Sequence, residues 1–156
     1  MKKPVHFDKD ADIIDIRYDE AFKAVFTRDT PQSRGALKGL LSCLIRREIT
    51  GLTLISSEPP PNFPGDRQIR FDICCKFDDG NLADIEMTIA PGASEVLRME
   101  FYATRLFVTQ DISGNRSYKD LKSAYQISIL HRNLFPDGFL VHGFEYHDAE
   151  HGLSLG

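Results

Sequence analysis

The chain of 156 residues contains no tryptophan and only three cysteines. An odd number of thiols, with Cys74 and Cys75 adjacent, does not suit the disulfide framework of a small secreted domain and fits a reducing compartment. No run approaches the roughly 18 apolar residues of a membrane span. The opening MKKPVHFDKDADIID has lysines but no apolar stretch behind them, so no secretory leader is expected. These absences predict a soluble, cytoplasmic chain with no membrane partner. Positive charge is also in short supply: 19 Lys and Arg stand against 23 Asp and Glu, a formal net charge of −4. No global field exists to hold a polyanion, and any nucleic-acid site must be local. Glycine-rich phosphate loops, nucleophile elbows, internal repeats and low-complexity tracts are all missing.

A hydrophobic content of 42% is enough for one domain with a real core. Residues 1–15 are charged and aperiodic, which predicts a loose N-terminal arm, and 16–156 read as a single domain. Tyr18, Phe22, Val25 and Phe26 recur at helical spacing and carry Asp19 and Lys23 on an adjoining stripe. Thr30 followed by Pro31 predicts the start of a second helix, with Leu37, Leu40, Leu41, Leu44 and Ile45 as its buried stripe and Arg46 and Arg47 at its end. Residues 49–56 read as a strand, and the proline-rich 57–66 as a loop. Two further strands, 68–77 and 81–90, flank Asp78, Asp79 and Gly80. Ser94 is expected to cap a third helix on which Leu97, Phe101, Thr104 and Val108 occupy one face and Arg98, Tyr102 and Arg105 another. Alternation over 123–130 and again over 139–146 predicts two last strands, the second entered through the Pro136-Asp137-Gly138 turn. The order implies a mixed α/β (α+β) domain, with a central mixed β-sheet flanked by helices.

The hairpin is unusually acidic. With a three-residue loop and Gly80 in the left-handed position, Asp72 falls directly opposite Glu86. With a two-residue Asp79-Gly80 turn, Asp72 faces Met87 instead. In the first register, opposed Cβ atoms lie about 4.5 to 5.5 Å apart and the like charges need compensation, for which Mg²⁺ (or Mn²⁺) with water in its remaining positions is suited. Both acids are flanked by apolar neighbours, whereas Asp78, Asp79 and Asp84 read as ordinary solvated acids. His147 to His151 spells H-x-x-E-H, the inverted zinc-protease pattern, but lies in no amphipathic helix and has no downstream acid as a third ligand. Cys74 and Cys75 point to opposite faces of a strand and read as buried thiols.

Four stretches together resemble the PD-(D/E)XK nuclease family transposases, the recombination-promoting nuclease group. Asp19 to Phe26 is similar to that family's D-x-x-F-K-x-x-F helix, and Arg70 to Ile73 to its strand with the metal aspartate. Gly80 to Met87 is similar to G-x-x-x-x-I-E-M, and Tyr118 to Lys122 with Ile127 to Leu130 to the Y-x-x-L-K segment and the strand after it. The resemblance spans about residues 16–147. It implies a restriction-endonuclease-like core in which Asp72 and Glu86 bind Mg²⁺ and Asp19 assists. Thr88 departs from the pattern, standing where the family has Gln and the wider superfamily Lys, the side chain that orients or activates the attacking water. Lys23 on the neighbouring helix is a candidate source of the missing charge. Members commonly continue well beyond the equivalent of Gly156, so the resemblance also implies a form truncated at the C-terminus.

The expected activity is metal-dependent hydrolysis of DNA phosphodiesters, with Arg98, Tyr102 and Arg105 as phosphate contacts or as a plain solvated helix face. The alternative is a module that keeps the nuclease fold but only binds DNA or protein, a reading favoured by Thr88 and by the acidic balance. DNA versus RNA, sequence preference and oligomeric state are left open.

Overall fold

The structure, a computed structural model, describes residues 15–61, 64–66 and 68–154. The arm expected over 1–15 lies, apart from Asp15, outside the described residues. Helix α1 (Asp19–Thr27) buries Phe22, and α2 (Pro31–Ile45) buries Leu37 and Leu41. The start of α2 is set by Thr30, whose hydroxyl accepts from the Ser33 N–H at 3.2 Å, with Pro31 in the first turn, where a missing N–H is harmless. It ends at Arg46, which adopts φ +58°.

Four strands follow in the spatial order β1 (Leu52–Leu54), β2 (Ile73–Phe77), β3 (Leu82–Thr88), β4 (Ala124–Leu130). The first two pairings are antiparallel and the β3–β4 pairing is parallel, as the crossover through α3 (Glu95–Val108) requires. This is the mixed sheet flanked by helices that the element order implies. Strand β3 is central and nearly all buried, with Ala83, Ile85 and Met87 on one face and the acids Asp84 and Glu86 buried on the other.

Alternation along β2 and β3 divides the core in two. Ile73, Cys75, Phe77, Ala83 and Ile85 pack with Phe22, Leu37 and Leu41 under α1 and α2. Cys74 and Leu82 pack on the other side with Ile69, Phe71 and Leu106. Each fully buried large side chain of this kind is worth about 1.5–3 kcal/mol. The two neighbouring cysteines are thus free thiols on opposite faces, and burial pushes both up to about 12.

Two expectations are corrected. Residues 139–146 form no strand: after Gly138 at φ +79° the Phe139 N–H donates to the Asp137 side chain, and His142 folds back onto the same carboxylate at 2.8 Å. This local side-chain bonding competes with ladder formation, and the ring of His142 collects Phe135 and Phe144. The stripe assignment on α3 is also reversed. Leu97, Phe101 and Val108 are exposed, while Arg105 and Leu106 are buried and Arg98 and Tyr102 half-buried against the sheet. The solvated-face reading of that polar stripe therefore fails, because buried acids beneath it draw the arginines inward.

Candidate active site

The hairpin adopts the three-residue loop. Phe77 and Asn81 close it, the Phe77 N–H donating to the Asn81 carbonyl at 2.8 Å, and Gly80 takes φ +92°. Ile73 pairs with Ile85 and Cys74 with Asp84, a register that sets Asp72 across from Glu86 just beyond the end of the ladder. There the ladder bonds are replaced by crossed side-chain bonds. The Asp72 N–H donates to Glu86 Oε1 at 2.8 Å, and the Met87 N–H donates to Asp72 Oδ2 at 3.0 Å. The two carboxylates thereby share one corner of the sheet.

A cation approaches each carboxylate from a different helix. Lys23 on α1 places Nζ 3.0 Å from Asp72 Oδ1 and 2.8 Å from Asp19, bridging the two acids. Arg98 on α3 places Nη2 2.9 Å from Glu86 Oε2, and its Nη1 lies 3.1 Å from Glu95 Oε1 and 3.3 Å from Thr88 Oγ1. The Thr88 hydroxyl donates in turn to Glu95 Oε1 at 3.3 Å. Tyr102 lies under the guanidinium, 5.0 Å from ring centre to Cζ, and meets Phe71 edge-on. Arg105 is taken up elsewhere, 3.1 Å from Asp66 Oδ2 and 3.1 Å from the Pro60 carbonyl, where it ties α3 to the proline-rich loop.

The acids are buried deeply enough for desolvation to dominate. Glu86 is 4% exposed, and burial first, then the Asp72 charge, pushes its carboxyl up to about 7 despite the Asp72 N–H, Arg98 and Lys23. Asp84, expected as a solvated acid, is 0% exposed, and neither of its carboxylate oxygens has a hydrogen-bond partner. Burial, then the charges of Glu86 and Asp72, pushes it up to about 9. On Lys23, burial works against the charge, yet Asp19 and Asp72 raise it overall.

The profile of the PD-(D/E)XK nuclease family transposases matches residues 16–152. The chain belongs to that family. No curated protein and no solved structure matches it. Nucleases of this family typically use a divalent metal, and the residues at the corner are compatible with one. Asp72, Glu86, Glu95 and Asp19 outnumber the cations Lys23 and Arg98, and Asp84, which burial keeps protonated near neutral pH, leaves two buried oxygens without a hydrogen-bond partner on the same face as Glu86. Among the described residues no group of three or more His, Cys, Asp or Glu side chains is arranged to hold a metal by itself. Mg²⁺ is usually held by one or two carboxylates, with water and substrate phosphate completing its octahedron.

The corner thus joins Asp19, Lys23, Asp72, Glu86, Thr88 and Arg98, with Tyr102 behind them. Three further participants are not apparent from motifs. Glu95 is buried one helical turn before Arg98 and orients it. Asp84 shares the face of Glu86. At the rim, the His131 N–H donates to the Thr88 carbonyl, and its ring lies 2.9 Å from Arg17 Nη1. The H-x-x-E-H stretch forms a turn at the far terminus in which His151 is bonded to Asp148 at 2.6 Å. Among the described residues no helix is long and apolar enough to cross a membrane.

Proposed function

We propose that this member of the PD-(D/E)XK family is a Mg²⁺- or Mn²⁺-dependent deoxyribonuclease that hydrolyses DNA phosphodiesters at the Asp72–Glu86 corner. The observation that carries the reading is the reciprocal bonding of Asp72 and Glu86, which holds two ligand carboxylates side by side before any cation arrives. In the reaction a water oxygen forms a bond to phosphorus and a phosphorus–oxygen bond to one sugar breaks. The ends are a phosphate monoester and a hydroxyl, which receives a proton. A bound divalent cation supplies Lewis-acid polarisation of the phosphate.

The chain's own residues do the positioning. Asp72 and Glu86 hold the cation. Lys23, shared between Asp19 and Asp72, bridges the two acids and sets the angle of Asp72. Arg98, 40% exposed at its side chain, is the member of the α3 stripe that retains access to a backbone phosphate, and Tyr102 supports it from behind. With an acidic overall balance, binding depends on this local pair of cations and weakens with salt by the modest slope that about two phosphate contacts give.

The test is nicking of supercoiled plasmid with and without Mg²⁺ by the wild type, Asp72→Ala and Glu86→Ala. Cleavage that needs both the metal and both acids supports the reading, and equal nicking by the variants overturns it. The ion pairs already formed by both carboxylates favour a second reading, a DNA- or protein-binding module. Calorimetric titration with Mn²⁺ separates the two, because a module built on permanent Lys23 and Arg98 pairs takes up no metal.

A further inference from the structure

Thr88 ends in a hydroxyl where the family resemblance implies an amide or an ammonium, and that hydroxyl donates to Glu95, so β3 carries no positive charge beside Glu86. The neighbouring helix fills that gap. Arg98 lies against Thr88 through Nη1 and against Glu86 through Nη2. Its aim is fixed from two further directions, by Glu95, which is 6% exposed, and by the ring of Tyr102. Thr88 is itself part of this support, donating to the same Glu95 oxygen that accepts from Arg98. The four polar groups form one closed arrangement, with the guanidinium as its exposed member.

We propose, on the basis of the nuclease reading above, that Arg98 takes the place of the amide or ammonium that the resemblance implies at position 88. Its guanidinium is the fixed positive group beside Glu86 that receives the developing charge on the phosphate, and Glu95 and Thr88 are its positioning residues. An arginine keeps its proton at any working pH, so Arg98 acts through charge and hydrogen-bond direction and takes no part in proton transfer. Lys23 is the competing source of charge, but it bridges Asp19 and Asp72 on the α1 side, whereas Arg98 is bonded to Thr88 and Glu86 directly. A short hydroxyl at 88 suits this arrangement, because a long side chain there would meet the guanidinium.

Four variants decide the matter: Arg98→Ala, Arg98→Lys, Arg98→Ala combined with Thr88→Lys, and Lys23→Ala combined with Thr88→Lys. Circular dichroism establishes folding, and the readouts are single-turnover cleavage and Mn²⁺ affinity by calorimetry. Removing one preorganised charge at a developing anion is expected to slow cleavage by about 100-fold in Arg98→Ala. Arg98→Lys retains most of the rate, and Thr88→Lys restores the Arg98→Ala variant but not the Lys23→Ala variant. Loss of a cation beside Glu86 is expected to tighten Mn²⁺ by about tenfold in Arg98→Ala, and Thr88→Lys reverses that gain. Wild-type rates in Arg98→Ala, or no restoration by Thr88→Lys, overturn the proposal. If the wild type cleaves no DNA the nuclease reading falls and this proposal with it, whereas a wild type that cleaves beside an unimpaired Arg98→Ala overturns the proposal alone.

Discussion

The backbone N–H of Asp72 is bonded to the side chain of Glu86 at 2.8 Å, and Asp72 returns the contact one residue further on, to the N–H of Met87 at 3.0 Å. Each carboxylate is therefore both a candidate metal ligand and the acceptor that closes the frayed end of the β2–β3 ladder. The two roles separate by substitution. Asp72→Asn and Glu86→Gln keep an acceptor oxygen and should melt close to the wild type while losing Mg²⁺-stimulated nicking. Asp72→Ala and Glu86→Ala should lose nicking and about 1 kcal/mol of stability as well. Urea titrations beside the plasmid assay check both; full activity in the amide variants would contradict the ligand assignment.

The buried acids give the metal-free protein an unusual pH dependence. Asp84 rises from 3.8 to about 9 and Glu86 from 4.5 to about 7, burial being the first cause in both. Folded pKa values above the unfolded ones mean that the native state holds protons the unfolded chain has released. Stability therefore falls as pH rises through that window, and is greatest on its acidic side as far as these two groups are concerned. In EDTA, Asp84→Asn should melt above the wild type at pH near 8 and approach it near pH 4. Melting curves that run parallel at every pH would show that Asp84 does not titrate in this range.

Arg105 provides a direct contrast with Arg98. Its side chain is 6% exposed and bridges Asp66 to the Pro60 carbonyl. Breaking a buried ion pair by removing one partner costs about 3–5 kcal/mol, so Arg105→Ala should shift the urea midpoint strongly. A phosphate contact would behave differently, lowering the salt dependence of DNA binding while leaving the midpoint in place.

Gly80 at φ +92° fixes the hairpin loop, and a Cβ there would lie 3.2 Å from Lys122 Cγ. Holding an L-residue in the left-handed region costs about 1–2 kcal/mol. Gly80→Ala should lose about that much stability, read from chemical denaturation. An unchanged midpoint would mean that the loop has relaxed to another turn.

Much of this site was legible before folding was considered. Counting across a three-residue loop with glycine in third place opposed Asp72 to Glu86, with a two-residue turn left open as the alternative, and Asp19 and Lys23 came from a helix of known phase. The same count also puts Asp84 on the face of Glu86, because residues two apart on a strand point the same way. Reading Asp84 as a solvated hairpin acid overlooked that parity. Glu95 left a weaker trace, an acid one helical turn ahead of Arg98.

What the sequence determined by itself is the local geometry: the Thr30 cap and the alternation that separates Cys74 from Cys75, both consequences of backbone sterics and fixed periodicity, while the choice between the two hairpin registers came from the structure. The tertiary structure decided which face of α3 turns inward and whether 139–146 joins the sheet. Those outcomes depend on partners distant in the chain. Glu86 and Asp66 draw Arg98 and Arg105 toward the interior against the apolar stripe's own preference, and the segment after Gly138 satisfies its polar groups with Asp137 and its rings with one another. Helical and strand periods tell which residues share a face, and only the charges waiting on the opposing surface decide which face is buried.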